Sequence, residues 1–119
     1  MKSKDIIVLK KILDYCNQVN EACVMFSNDY NKFVSVSVFQ NACCMCILQI
    51  GELCKVVSQE VKDEEDTIPW RLWCGIRDIF AHQYSNLDFE SAWDTVQNDL
   101  PKLKENVNRI LEKSSKEEV

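Results

Sequence analysis

The chain has 119 residues, of which 46% are apolar and 28% charged, and its formal net charge is −5. This length suits one domain that buries its core without disulfides or metals, and the negative balance excludes a broad basic face that coats nucleic acid through many phosphate contacts. Only two glycines and two prolines are available for tight turns, so the expected fold class is all-α.

The opening, MKSKDIIVLKKILDY, alternates lysines with apolar residues and lacks the unbroken apolar core of a signal peptide. No run reaches the roughly 20 apolar residues needed to cross a bilayer, so a cytoplasmic protein with no membrane association is expected. From Ile6, the residues Leu9, Ile12, Leu13, Cys16, Val19, Cys23 and Phe26 recur every three or four positions, which predicts a helix of about seven turns. Asn28 and Asp29 mark its end. Phe39, Cys43, Cys46, Ile50, Leu53 and Val57 then form a second stripe, widened by Val36, Ile47 and Cys54, and this helix is expected to be the most buried element.

Residues 58–67, SQEVKDEEDT, hold five acidic side chains in ten positions and are expected to form a solvated loop. Pro69 opens a third helix, IPWRLWCGIRDIFAH, and Asp88 is the expected N-cap of a fourth. In that fourth segment Trp93, Val96, Leu100, Leu103, Val107 and Ile110 keep one helical phase through Pro101. A kinked but continuous helix is expected, despite a cost of about 3 kcal/mol for interior proline. The charged tail is expected to fray from Ser114. Four amphipathic helices of this length close most simply as an antiparallel four-helix bundle.

Seven cysteines are an odd number, and most lie on stripes patterned like buried helix, where a thiol behaves as a small hydrophobe. Cys43 and Cys46 have C-x-x-C spacing, but no second pair stands at ligand spacing, so reduced core thiols are expected and no metal is assigned. Trp70, Trp73 and Trp93 are at helical spacing and are read as packing residues. Gly51 and Gly75 fall inside predicted helices, where each costs about 1 kcal/mol relative to alanine. Close approach of another backbone would compensate. Around the third helix Arg71, Gly75, Asp78 and His82 share one face, which can receive a partner subunit.

The run PWRLWCGIRDIFAHQY, followed by FESAWDTVQNDLPKLKENVNRIL, resembles the HepT-like branch of the HEPN proteins, whose signature is R-x-x-x-x-H-x-Y with a polar residue after the arginine. Those positions are Arg77, Asp78, His82 and Tyr84. The specificity lies in the context: Pro-Trp-Arg at the helix start, a glycine two residues before the arginine, and the trailing Trp-Asp-x-Val-Gln-Asn-Asp-Leu-Pro. The likeness is residue-level from about Ile68 to Ile110 and pattern-level before that. It implies a single HEPN-like domain over residues 1–113 with a charged tail at 114–119, assembled as a four-helix-bundle homodimer. It further implies a ribonuclease toxin that needs no cofactor, with a minimal nucleotidyltransferase antitoxin as partner, which adds AMP to Tyr84.

Metal-free RNA cleavage needs a base for the 2'-hydroxyl, an acid for the leaving 5'-oxygen and positive charge beside the phosphate. One chain offers one histidine, and dimerisation supplies a second. His82 suits the acid or base role, Arg77 the charge role through its forked donors, and Asp78, four residues before His82, orients the ring and favours its protonated form. Arg77 and His82 stand about 140° apart on a regular helix, so either the helix ends near Ala81 or two subunits build the site. Tyr84 and Arg71 are candidate RNA contacts. The rival reading is a non-catalytic helical subunit that docks on a nucleotidyltransferase and presents a tyrosine or a substrate to it, which the acidic balance favours. A third is a bundle with a degenerate site that only assembles.

Overall fold

A computed structural model of the chain describes residues 1–82 and 88–117, with the side chains of residues 77–82 outside that description. The described residues are helical: α1 (Ser3–Met25), α2 (Tyr30–Ser35), α3 (Ser37–Val56), α4 (Gln59–Glu64), α5 (Trp70–His82), α6 (Phe89–Asp94) and α7 (Leu100–Glu117), with a π-helical turn, Thr95–Asp99, joining the last two. The all-α expectation holds. Helix α3 packs against α1 on one side and α5 on the other, and α1 also meets α7.

The stripes read from the sequence form the core. Leu9, Ile12, Cys16, Val19 and Cys23 of α1 are buried against Phe39, Cys43, Ile47, Ile50 and Cys54 of α3 and Val107 of α7. Six of the seven cysteines are buried and all seven are free thiols. Burial pushes the Cys16 thiol up to about 12 and the Cys44 thiol up to about 11. Among the described residues α3 is the one helix long and apolar enough to cross a membrane by length and composition. That corrects the expectation that no segment reaches this threshold; the physical reason is that α3 lies between two packed neighbours and so carries apolar residues around much of its circumference.

Helix α1 stops where the polar pair predicts. Ser27 and Asn28 have φ of 59° and 49°, and the Asn28 amide donates to the Cys23 carbonyl at 2.7 Å, which closes the helix end. Asp29 then caps α2 by accepting from the Asn31 amide at 2.8 Å. Helix α2 was not foreseen. Its single buried residue, Phe33, leaves no periodic stripe to read, yet that ring meets Phe39, Phe89 and Trp93 at centroid distances of 5.4, 6.1 and 5.1 Å.

The acidic run is corrected from solvated loop to structured connection. Ser58 caps α4, its hydroxyl accepting from the Val61 amide at 3.4 Å, and Val61 is buried. The buried carboxylate of Asp5 on α1 accepts from the Ser58 amide at 2.8 Å and from its hydroxyl at 2.7 Å. Glu65 is buried too, facing Arg109 at 3.1 Å and Lys113 at 3.9 Å, so part of the run's charge is neutralised by α7.

Asp88 caps α6 as expected, accepting from the Ser91 amide and hydroxyl at 3.2 and 2.8 Å, and these bonds hold its carboxyl below its ordinary value. Helical backbone then runs without a break to Glu117, as the conserved phase of the stripe predicts. The proline is absorbed by the π turn, in which the Leu100 amide donates five residues back to the Thr95 carbonyl. A wider turn relieves the clash between the Pro101 ring and the preceding carbonyls. The Asn28 and Gln97 side chains exchange two hydrogen bonds, 3.1 and 2.8 Å, and tie this turn to the end of α1. Helix α7 continues past Ser114, which is buried, so the tail is ordered as helix to Glu117 where fraying was expected.

Candidate functional site

Helix α5 begins at Trp70 because Pro69 supplies a carbonyl but no amide: the Trp73 amide donates to the Pro69 carbonyl at 3.2 Å. The Trp70 indole N–H donates to the Glu65 carbonyl at 3.0 Å, and Trp70, Trp73 and Ile76 are buried. These anchors fix which side of α5 faces α3. The opposite side carries Arg71, which is exposed, and Leu72, half exposed. A Cβ built on Gly75 meets nothing within 4 Å among the described residues. Among the described residues no backbone of the same chain approaches it, so the other backbone expected there is not supplied by the described part of this chain.

Arg77, Asp78 and His82 all lie within α5. By helical register Asp78 is one turn before His82 on the face that Arg71 and Gly75 share, while Arg77 and His82 are separated by about 140° around the axis. Helix α5 is described as far as His82, one residue past Ala81, and both positions have helical backbone. The side chains of Arg77, Asp78 and His82, and the whole of Tyr84, lie outside the described residues. Trp93, the third tryptophan, packs edge-on to Phe39 and close to Phe33, at centroid distances of 5.9 and 5.1 Å, as a packing residue should.

The family profile described as Ribonuclease HepT-like matches residues 12–110, which includes every motif position. The chain belongs to the HepT-like ribonuclease family. Its relatives include "Putative RNase MJ1380" of Methanocaldococcus jannaschii, 29% identical over 113 residues that cover 92% of this chain and 100% of the relative. "Putative RNase MJ0125" of the same organism is 27% identical, over 93% of this chain and 95% of its own. "Probable ribonuclease HepT" of Thermococcus cleftensis is 30% identical, over 76% and 87%. No solved structure matches the chain.

A groove of about 530 Å³ runs between α4 and the start of α5, with Lys62, Arg71, Asp66, Trp70 and Cys74 among its lining residues. Of these two cations the sequence analysis names Arg71 and not Lys62. The signal was present: Lys62 is the one basic residue in the acidic run, and it sits in the last turn of α4, where a cation favours the helix dipole.

Proposed function

We propose that this HepT-like ribonuclease is the toxin of a cytoplasmic nucleotidyltransferase toxin–antitoxin pair, a metal-independent endoribonuclease that works as a four-helix-bundle homodimer. In this reading the two copies of α5 meet across a twofold axis and share one crevice. The carrying observation is the intact Arg77, Asp78, His82, Tyr84 sequence motif, whose first three residues lie on the helix that has open space at Gly75 among the described residues. One histidine per chain and the angular separation of Arg77 from His82 both support a site built from two protomers.

The chemistry is an internal transfer. One His82 takes the 2'-hydroxyl proton, the 2'-oxygen attacks phosphorus, and the bond to the 5'-oxygen breaks as the second His82 donates a proton to it. The products are a 2',3'-cyclic phosphate and a 5'-hydroxyl. Arg77 holds two phosphate oxygens and stabilises the charge that develops there, Asp78 orients His82 and supports its cationic form, and Arg71 and Tyr84 contact RNA. A minimal nucleotidyltransferase antitoxin silences the site by transferring AMP to the Tyr84 hydroxyl, which sets negative charge and bulk against the RNA phosphate.

The test is incubation of the purified protein with RNA in EDTA, followed by identification of the 3' termini. Cleavage to cyclic phosphate is expected from the wild type and loss of cleavage from His82→Ala; undiminished cutting by that variant removes the catalytic assignment. Mass spectrometry after exposure to the partner enzyme and ATP is expected to place AMP on Tyr84. The net charge of −5 favours one alternative, a non-catalytic subunit that presents Tyr84 to the transferase. Adenylylation without any RNA turnover is its signature.

A further inference from the structure

The groove between α4 and α5 differs in charge from the chain as a whole. The protein carries a net −5, yet this groove is lined by two cations, Lys62 and Arg71, and one carboxylate, Asp66. Among the described residues neither cation has a carboxylate within 4.0 Å, a property they share with several other surface lysines, so what sets them apart is that they converge on one groove. Trp70 is held in the wall by its indole bond to the Glu65 carbonyl, so the groove has a fixed side. The positive end of the thirteen-residue α5 dipole opens nearby.

We propose that this groove is a phosphodiester subsite that binds an RNA phosphate remote from the bond that is cut; the inference rests on the ribonuclease reading of α5. Arg71 offers a fork that matches two phosphate oxygens, and Lys62 adds a mobile point charge. Register places Arg71 on the same side of α5 as Asp78 and His82, so a strand running along the rim of the crevice that the two copies of α5 share passes from groove to motif. Eleven residues of helix separate Arg71 from His82 by about 16 Å. A stacked strand advances about 3.4 Å per nucleotide and an extended one roughly twice that, so the bound phosphate lies about two to five nucleotides from the cleavage position. An acidic chain thus gains affinity for RNA from a local site, and longer RNA is the better substrate.

The experiment compares the full-length wild type with the double variant Lys62→Gln, Arg71→Gln on RNA oligomers of two and eight nucleotides. Losing two phosphate contacts on a single strand removes about 1.4 from the slope of log affinity against log salt, which is on the order of tenfold in KM for the octamer near 0.15 M salt. The expected result is that rise in KM with kcat changed less than about twofold, a shallower salt slope, and a much smaller penalty on the dinucleotide. Fluorescence anisotropy with an octamer lacking every 2'-hydroxyl reads the same groove without turnover, and the same loss of slope is expected. Failure of wild-type cleavage with retained, groove-dependent anisotropy binding removes the ribonuclease reading and leaves the subsite. Equal penalties on both lengths, or an unchanged salt slope, overturn the subsite. So does a double variant that binds RNA normally but loses affinity for an antitoxin protein, which makes the groove a protein interface.

Discussion

Replacing Asp5 with alanine isolates the contact that joins the first helix to the start of the α4–α5 segment. The carboxylate is 1% exposed and accepts two hydrogen bonds from one residue, the Ser58 amide at 2.8 Å and the Ser58 hydroxyl at 2.7 Å. Hydrogen bonds to a charged acceptor contribute about 1.5–3 kcal/mol each, and alanine leaves the Ser58 amide without its buried acceptor. Removing the carboxylate also removes its own desolvation cost, so the net loss is about 3 kcal/mol, toward the lower end of the summed range. Asp5→Asn keeps one acceptor oxygen and is expected to lose about 1–2 kcal/mol. Urea unfolding at fixed protein concentration measures both, and for a chain of this size Asp5→Ala should lower the thermal midpoint by about 10–15 °C. Ser58→Ala completes a double-mutant cycle with an expected coupling on the order of 1.5 kcal/mol. If Asp5→Ala unfolds within about 0.5 kcal/mol of the wild type at unchanged m, the latch contributes nothing and the reasoning fails.

Phe33→Ala empties the centre of the aromatic cluster and should cost about 3–5 kcal/mol by denaturant unfolding, although α2 is only six residues long. Pro101→Ala should change stability by less than about 1 kcal/mol, not restore the roughly 3 kcal/mol that a strained interior proline forfeits, because the π turn already accommodates the ring; chemical denaturation distinguishes the two. Alkaline stability follows from the buried thiols. Folding raises Cys16 and Cys44 from about 9.0 to about 12 and about 11, so both states keep these protons at neutral pH and stability there is flat. As pH rises through the unfolded value the unfolded state alone ionises, and stability should fall from pH 9 toward 11 by up to about 1.4 kcal/mol per unit for each thiol. Unfolding free energies measured across that window check the sign, and a Cys44→Ala variant should show a smaller decline.

The long helices were legible because each buries many residues on one stripe, and burial of that kind writes a period into the sequence. Phe39, Cys43, Ile47, Ile50 and Cys54 carry the signal for α3 on their own. Helices α2 and α4 bury one residue each, Phe33 and Val61, and one residue has no period. What holds them is tertiary: rings from α3 and α6 around Phe33, and a carboxylate from α1 on the cap of α4. The acidic run misled for the same reason, since the partners of Glu65 lie 44 and 48 positions away on α7. Identity was legible at the site through Arg77, His82 and their neighbours. Their angular separation on α5 could be computed, but the groove beside them depends on α4 and therefore on a helix that the residue pattern does not announce.

The widened turn at Thr95–Asp99 makes the last helical stretch intolerant of length changes in a way that its polar composition conceals. Its extra residue sets the rotational offset between the front half, which faces the aromatic rings, and the rear half, which faces α1. Deleting any one of those five positions would let the ordinary ladder close and swing Leu103, Val107 and Ile110 about 100° away from their sockets. A gap of a single codon there is therefore as damaging as a charge placed in the core, whereas substitutions at solvent-facing positions of the same segment pass unnoticed.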